Sequence, residues 1–179
     1  MNKYITLKDK TFAPYIPEHD ITEAITKIAG NIARDVEGRK PLFVGILNGA
    51  YMFVAELMSK LSPTYELIFA AYSSYHGTKS DRIVKELLPI RVENKARPII
   101  LLEDIIDTGF TMQHVMNRLR EEGVNDVRLA TLFLKPGSLQ CDIKPDYVGM
   151  EIDNDFIVGF GLDYDGYGRS LRSIYKIVE

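Results

Sequence analysis

Short apolar runs and stretches with helical spacing alternate along most of the chain. Five compact apolar runs are typical of buried strands, at residues 42–47, 67–71, 99–102, 127–134 and 156–160. Three other stretches repeat apolar residues at three- and four-residue steps and predict amphipathic helices, at residues 20–37, 50–61 and 111–122. Asp20 and Glu23 predict a capping box at the start of the first helix, with Asp in place of the usual Ser or Thr. The alternation predicts an α/β fold in which helices cover both faces of a parallel sheet.

The order of these elements also predicts where a ligand would bind. In open α/β sheets, ligands occupy the crevice outside the carboxyl ends of the parallel strands. The residues that directly follow Leu47, Leu102, Leu134 and Phe160 are therefore expected to converge.

Composition narrows the class of protein without changing this picture. The chain has 179 residues, of which 46% are hydrophobic and 26% are charged, enough apolar material for one domain spanning residues 1–179. The net charge of −3 and the pI near 5.7 argue against a protein that binds nucleic acid through its phosphates. No apolar run approaches the roughly 20 residues of a membrane span, and the charged N-terminus does not resemble a signal peptide. We expect a cytoplasmic protein with neither a nucleic-acid nor a membrane partner.

The candidate chemistry lies at the end of the third apolar run. There the strand leads into two adjacent carboxylates, Glu103 and Asp104, then into a short loop and a helix N-terminus. The backbone N–H groups of the loop and the positive end of the helix macrodipole suit a phosphate monoester, and Gly109 lets the backbone approach the phosphate oxygens. The hydroxyls of two loop threonines add donors, and the paired carboxylates, which only accept when ionised, suit the hydroxyls of a sugar. The alternative is that Asp107 or Thr108 only caps the helix.

The segment EDIIDTGFT at residues 103–111 resembles the phosphoribosyl pyrophosphate motif of type I phosphoribosyltransferases. More closely, the chain resembles the hypoxanthine-guanine phosphoribosyltransferases over most of its length. The supporting segments are ILNGAYMFVAEL at 46–57, AAYSSYHGTKS at 70–80, LKPG at 134–137 and PDYVGMEIDNDFIVGFGLDYDGYGR at 145–169. The resemblance implies a mostly parallel twisted sheet flanked by helices, with a small hood formed by N- and C-terminal segments and a flexible lid loop.

The resemblance also implies a role for each matching residue. The phosphoribosyl group would be bound by Glu103, Asp104, Asp107, Thr108, Gly109, Phe110 and Thr111. Pyrophosphate would be bound by Asn48, Gly49, Ser74, Tyr75 and Arg169. The purine would be bound by Lys135, Phe156, Ile157 and Asp163. A magnesium ion would be bound by Glu103, Asp104 and Asp163.

Taken without the resemblance, several of these residues have ordinary explanations. Lys135 would be a solvated lysine at a strand end, and Phe156 would be a core residue of a strand. Asp163 and Arg169 would be a loop carboxylate and a surface charge. The resemblance instead has Phe156 stack on the base and Lys135 donate to the 6-oxo group of the purine. The amino donor of adenine would leave the Lys135 ammonium unpaired.

The implied reaction transfers ribose 5-phosphate from phosphoribosyl pyrophosphate to a ring nitrogen of a 6-oxopurine, and pyrophosphate leaves. Magnesium, Arg169 and backbone N–H groups would stabilise the leaving group. Asp107 would be the general base that takes the ring proton of the purine. The resemblance further implies a homodimer or homotetramer.

Two regions leave alternatives open. Residues 72–82 are polar and contain Gly77, so they form either a surface loop or a lid in which Ser74 and Tyr75 close over pyrophosphate. Asn48 lies where the family often has a lysine, which removes a positive charge from the pyrophosphate loop. Relatives hold an unusual cis peptide in this loop, and the same is expected for Leu47–Asn48.

The function that the resemblance implies is purine salvage, the synthesis of IMP or GMP from the free base. One alternative is an enzyme that prefers xanthine, because Lys135 does not distinguish among 6-oxopurines. The other is a non-catalytic regulator that binds phosphoribosyl pyrophosphate, which would lose base-site or lid residues and need a nucleic-acid surface. The chain keeps Asp107, Lys135, Phe156 and Asp163, and it has neither a basic excess nor spare length for a DNA-binding domain.

Overall fold

The computed structural model describes residues 4–76 and 82–178. In chain order the elements are β1 (Ile5–Leu7), β2 (Lys10–Ile16), α1 (Glu18–Asp35), β3 (Leu42–Leu47), α2 (Tyr51–Met58), β4 (Glu66–His76), β5 (Arg82–Leu88), β6 (Ile99–Ile106), α3 (Phe110–Glu121), β7 (Val127–Leu134), a short 3-10 helix (Pro136–Ser138), β8 (Tyr147–Glu151), β9 (Ile157–Val158) and β10 (Ile174–Ile177). None of the helices in the described ranges combines the length and apolar character that a membrane crossing requires.

Six of the described strands form one sheet, in the order β5-β4-β3-β6-β7-β8. All neighbouring pairs are parallel except β4 and β5, which pair antiparallel at one edge. The central strands are buried along nearly their whole length, because helices cover both faces and leave no solvated side. The predicted fold class, a mostly parallel sheet flanked by helices, is confirmed.

Two apolar cores hold the helices to this sheet. α1 and α2 bury residues such as Ile25 and Phe53 against one face. α3 buries residues such as Met112 and Leu119 against the other. Because β3, β6 and β7 run in the same direction, the segments that follow them leave the sheet at one edge.

A second, smaller sheet contains strands from near both ends of the chain. It is antiparallel and has the order β1-β2-β10-β9. Phe12, Val158 and Tyr175 form its core. This sheet corresponds to the hood that the resemblance implies. Since β9 is its outer strand, one edge of the β9 backbone faces away from β10.

Two of the predicted segment assignments are wrong. The run at 156–160 does not join the parallel sheet. Only Ile157–Val158 is a strand, because the positive φ angles of Gly159 and Phe160 turn the chain directly after it. Residues 72–76, predicted to be part of a loop, belong to β4, because their backbone groups pair with β5.

The capping box is also wrong. α1 begins at Glu18, after an N-cap at Pro17 that provides no side-chain hydrogen bond. Asp20 therefore lies inside the first turn, where its carboxylate contacts the His19 side chain at 2.7 Å. Glu23 instead forms an ion pair with Lys27 one turn later.

Candidate active site

The predicted phosphate loop connects the end of β6 to the start of α3. Gly109 is the N-cap of α3 and has a φ of +85°, a conformation that L side chains rarely adopt. A Cβ at Gly109 would also lie 2.6 Å from Ile143 Cγ2 and 2.8 Å from Cys141 Sγ, so sterics require glycine as well. Because α3 begins directly after Gly109, the positive end of its macrodipole lies at the loop and suits an anion.

A cavity of about 340 Å³ opens beside this loop. Five residues of the predicted phosphoribosyl site line it, namely Glu103, Asp107, Thr108, Gly109 and Thr111. Further lining residues from the neighbouring elements include Ile46, Leu47, Tyr72 and Met112. Asp104 and Phe110, also predicted for this site, lie next to these residues in sequence but outside the lining.

The segment that follows Lys135 supports the loop. The Gln140 N–H donates to the Thr108 carbonyl at 3.1 Å, and the Cys141 thiol donates to the same oxygen at 3.4 Å. Leu139 and Ile143 pack into the core on the α3 side of the sheet. The loop conformation is thus fixed by the protein itself, which lowers the cost of ordering it around a ligand.

The two acidic residues on β6, Glu103 and Asp104, lie in different surroundings. Glu103 lines the cavity, whereas the Asp104 carboxylate faces the loop after β3, where a Cβ at Gly49 would lie 1.8 Å from Asp104 Oδ2. Burial raises the pKa of both carboxyls, and the charge of Asp104 raises the pKa of Glu103 further. For Asp104, the Ile105 N–H, 2.8 Å away, and the charge of Arg169 act in the opposite direction and lower the pKa.

The loop after β3 lies between β6 and the segment that follows β9. The peptide bond between Leu47 and Asn48 is cis, as expected from the resemblance. A Cβ at Gly161 would lie 1.9 Å from the Gly49 carbonyl oxygen, and Gly49 in turn contacts Asp104 on its other side. This stacking fixes the Gly49 backbone. The Asn48 side chain is exposed.

Arg169 and Asp163 form an ion pair beside this stack. Arg169 Nη2 lies 2.7 Å from Asp163 Oδ1, and Arg169 Nη1 donates to the Gly161 carbonyl at 2.8 Å. The Gly166 N–H donates to Asp163 Oδ2 at 2.6 Å. The Tyr51 hydroxyl donates to the Arg169 carbonyl at 3.2 Å and ties α2 to the same segment. The Arg169 guanidinium therefore positions the Asp163 carboxylate.

Lys135, directly after β7, is turned toward the phosphate loop. Only 6% of the residue is exposed, so it is not the solvated lysine of the ordinary explanation. Its Nζ lies 3.1 Å from Asp107 Oδ2, and its N–H donates to the Ile106 carbonyl at 3.0 Å. The Asp107 side chain is half exposed, so the pair presents one open carboxylate and one buried ammonium.

Phe156 and Ile157 lie in the hood, outside the lining of the 340 Å³ cavity. Phe156 is 45% exposed, so it is not a core strand residue. Its ring meets Tyr164 edge-on, with 6.0 Å between centroids, and Phe12 at 6.4 Å. Ile157 is buried, on the outer strand β9.

One contact brings the Phe156 segment beside the Lys135 segment. A Cβ at Gly137 would lie 3.3 Å from the side-chain amide of Asn154. Gly137 is two residues after Lys135, and Asn154 is two residues before Phe156. The two segments to which the resemblance assigns Lys135 and Phe156 as purine-binding residues therefore adjoin.

The predicted lid is described only in part. The backbones of Ser74 and Tyr75 lie on β4, opposite Val84 and Ile83. Residues 77–81 lie outside the described residues. The pyrophosphate roles of Ser74 and Tyr75 stay predictions.

Sequence reasoning missed Tyr72 as a residue of the cavity. The prediction that ligands bind beyond strand ends names four of the five apolar runs, and the run at 67–71 is not among them. Tyr72 directly follows that run, so the same rule would have found it. The supporting role of residues 139–143 had no such signal, because it arises from long-range packing.

The acidic residues fit magnesium only in combination with a ligand. In the described ranges, His, Cys, Asp and Glu side chains form no group of three or more that could hold an ion. Glu103, Asp104 and Asp163 therefore do not make a closed protein cage. Magnesium, however, usually takes one or two carboxylates and completes its shell with water and substrate phosphates.

The chain is similar to known proteins over most of its length. A family model for the phosphoribosyl transferase domain matches residues 17–165. The hypoxanthine-guanine phosphoribosyltransferase of Lactococcus lactis is 41% identical over 157 residues, 87% of this chain and 85% of the relative. That of Streptococcus mutans is 41% identical over 163 residues, 90% and 91% of the two chains.

Solved structures show the same likeness. A hypoxanthine phosphoribosyltransferase from Staphylococcus aureus superimposes with a TM-score of 0.87 at 30% identity, over 92% of this chain and 90% of that one. A variant of the hypoxanthine phosphoribosyltransferase from Trypanosoma cruzi, solved as a ternary complex with substrates, gives a TM-score of 0.85 at 28% identity, over 92% and 94%.

Proposed function

Because the chain is an enzyme that belongs to the phosphoribosyl transferase domain family, we propose that it acts in purine salvage. Its substrates are phosphoribosyl pyrophosphate and a 6-oxopurine, hypoxanthine or guanine. The products are IMP or GMP and pyrophosphate. The names of its relatives support a 6-oxopurine as the acceptor. The cavity at the phosphate loop supports binding of the phosphoribosyl group.

The observation that carries the proposal is the buried ammonium of Lys135, 3.1 Å from the carboxylate of Asp107. An ammonium group only donates hydrogen bonds, so it complements the 6-oxo group of a purine and not the 6-amino group of adenine. Asp107 accepts from one of the three N–H donors of Lys135. Since Lys135 is buried, an adenine in this position would leave a further desolvated N–H without an acceptor. Selection of oxopurines follows from that cost.

Asp107 is the residue best placed to accept a proton. In the proposed reaction, the bond from the ribose C1′ to pyrophosphate breaks, and a ring nitrogen of the purine forms the new bond. The ring N–H proton passes to the half-exposed carboxylate of Asp107.

The developing charges fall near groups of opposite sign. Positive charge on the ribose develops near the carboxylate of Glu103, which lines the cavity. Negative charge on pyrophosphate develops near the loop after β3, where we propose that the Asn48 and Gly49 backbone and Arg169 contribute. Phe156 would stack on the base, and Ile157 would contact it through its backbone.

Of the three carboxylates that the resemblance assigns to magnesium, we propose that Glu103 and Asp163 would each hold an ion through one carboxylate, whereas the Asp104 carboxylate is buried against the Gly49 loop and lies outside the cavity lining. Glu103 lines the cavity, and each Asp163 oxygen, although engaged by Arg169 or Gly166, keeps a second lone pair. Magnesium, when bound, neutralises the pyrophosphate that leaves.

A product assay tests the proposal directly. The protein is incubated with MgCl₂, phosphoribosyl pyrophosphate and, separately, hypoxanthine, guanine, xanthine and adenine, and nucleotide and pyrophosphate are quantified. We expect equal amounts of the two products with hypoxanthine or guanine and none with adenine. No nucleotide with any base, or a preference for adenine, would refute the proposal.

Lys135→Met tests the specificity argument, with Lys144→Met, an exposed lysine beyond the 3-10 helix, as the control. We expect Lys135→Met to raise the KM for the oxopurine about tenfold or more, because one buried charged hydrogen bond is lost. Lys144→Met should leave the KM unchanged.

Size-exclusion chromatography with light scattering would test the homodimer or homotetramer that we expect. Cell fractionation would test the cytoplasmic location.

A further inference from the structure

Tyr72 forms part of the cavity wall without belonging to the phosphate loop. It lies on β4, two strands away from β6 in the sheet, and lines the same cavity as Glu103 and Asp107. Its ring packs against the core on the α3 side of the sheet. The ring is therefore in contact with the cavity on one side and with the core on the other.

The hydroxyl of Tyr72 is held by two charged residues. It donates to Glu86 Oε1, on β5, at 3.0 Å. Arg118, on α3, donates to the same Glu86 oxygen and lies 3.4 Å from the Tyr72 hydroxyl. Arg118 Nε also binds Glu122 at 2.8 Å, which fixes the guanidinium on its own helix. One arginine thus joins α3, β4 and β5.

A register shift places these groups opposite each other. Between β4 and β5, Ala71 pairs with Leu88 and the next residue, Tyr72, pairs with Glu86. Leu87 is therefore an extra residue on β5, the arrangement of a β-bulge. Bulges re-aim side chains and occur next to active sites. Here the bulge brings the Glu86 carboxylate to the Tyr72 hydroxyl.

The location of this contact connects two parts of the proposed site. The phosphate loop leads into the N-terminus of α3, and Arg118 lies near the other end of the same helix. β4 continues from Tyr72 to Ser74 and Tyr75, the residues predicted for pyrophosphate. Arg118 and Glu86 thus fix the strand pair that bears the predicted lid relative to the helix that bears the phosphate loop.

We propose that Arg118 and Glu86 are positioning residues for phosphoribosyl pyrophosphate, which act by holding the Tyr72 ring as the wall of its cavity. The inference rests on the proposed function. The side chains are only 26% and 32% exposed, and the guanidinium engages two carboxylates, so the contact is more rigid than an exposed ion pair. Lys135 and Phe156 do not line this cavity. Loss of the contact should therefore raise the KM for phosphoribosyl pyrophosphate and leave the KM for the purine unchanged.

Steady-state kinetics of Arg118→Met test the inference, with Arg120→Met, an exposed arginine two residues further on the same helix, as the matched control. We expect Arg118→Met to raise the KM for phosphoribosyl pyrophosphate about three- to tenfold, with the KM for the purine unchanged. Glu86→Gln and Tyr72→Phe should shift the same constant in the same direction, and Arg118→Lys should restore part of it. If Arg118→Met fails to fold, the Glu86 and Tyr72 variants decide the question.

A binding measurement without turnover completes the test. The chain contains no tryptophan, so Tyr72→Trp introduces a single indole at the cavity wall. We expect its emission to change on titration with phosphoribosyl pyrophosphate and MgCl₂, and to stay constant with hypoxanthine alone. An unchanged emission with the first ligand would overturn the inference.

Two results separate this inference from the proposed function. If the wild-type protein makes no nucleotide, the proposed function fails and this inference fails with it. If the wild type is active but Arg118→Met, Glu86→Gln and Tyr72→Phe behave like Arg120→Met, only the role of Arg118 and Glu86 is refuted. An equal rise of both KM values would refute it too, because a general loss of structure does not select one substrate.

Discussion

The contact between Gly161 and Gly49 allows a sharp test of how the hood contributes to the site. Gly161 has a φ of +102°, and a Cβ there would lie 1.9 Å from the Gly49 carbonyl oxygen. Gly161→Ala therefore has to move either the turn after β9 or the loop after β3. Gly38→Ala is the matched control. Gly38 also has a positive φ, +71°, but a Cβ there would meet nothing within 4 Å.

The two substitutions share one cost and differ in another. Each puts an alanine into a backbone conformation that costs an L residue about 1–2 kcal/mol. Gly161→Ala adds an overlap with backbone atoms that cannot rotate away, and overpacking of this kind costs about 1–3 kcal/mol. For a chain of this length, 1 kcal/mol shifts Tm by about 2–4 °C. We expect Gly161→Ala to unfold about 2–12 °C below Gly38→Ala.

The functional expectation is more specific than the loss of stability. If the loop after β3 binds pyrophosphate through its backbone, its displacement should raise the KM for phosphoribosyl pyrophosphate at least about fivefold, since 1.4 kcal/mol corresponds to tenfold. Gly38→Ala, beyond the C-terminal end of α1, should leave that KM unchanged. Thermal and urea denaturation give the stabilities, and initial rates give the KM. Equal stabilities and equal KM values for the two variants would refute the reasoning.

Three further predictions concern the phosphate loop and the acidic residue beside it. Burial raises the pKa of Glu103 above its ordinary value of 4.5, so the folded protein binds this proton more tightly than the unfolded chain. Without ligand, the free energy of unfolding should therefore fall as pH rises above 4.5 and through the raised pKa; Glu103→Gln should flatten that dependence in urea denaturation. Gly109→Ala should weaken binding of phosphoribosyl pyrophosphate about tenfold or more in calorimetry, because its Cβ would collide with Ile143 and Cys141. Asp107→Asn should lower kcat by about 10²-fold or more while the affinity for phosphoribosyl pyrophosphate changes little, since it removes the base and keeps the loop backbone; an unchanged kcat would exclude Asp107 as the base.

The sequence predicted best those elements whose burial is complete. The bounds of β3 and β7 agree with the predicted runs, because a strand covered on both faces must be apolar throughout. The three helices differ from prediction by one to three residues at each end. β5 and β8 were missed, since edge strands mix exposed and buried positions and show no continuous run.

Pairing between distant segments accounts for the larger errors. The hood joins β2 to β10, and neither strand has a local pattern that indicates its partner. The start of α1 shows the same limit. Glu18 forms an ion pair with Arg172, and its backbone N–H donates to Ser173 Oγ. The helix therefore begins where the C-terminal segment contacts it, two residues before the capping box that local sequence favoured.

The candidate site shows the same difference between features set by local sequence and features set by contacts between distant segments. The phosphate loop was predictable because strand, acidic pair, loop and helix are contiguous, and the direction of β6 fixes where the loop opens. The remaining contacts, such as Lys135 with Asp107 and Gly161 with Gly49, depend on how strand ends and the hood meet. We therefore expect the proposed anion-binding loop to depend mainly on contiguous residues and on the support from residues 139–143, and the proposed purine-binding part to depend on packing of the hood against the sheet. A substitution in the hood core at Phe12, Val158 or Tyr175, which leaves the contact between Gly161 and Gly49 in place, should consequently raise the KM for the purine more than the KM for phosphoribosyl pyrophosphate.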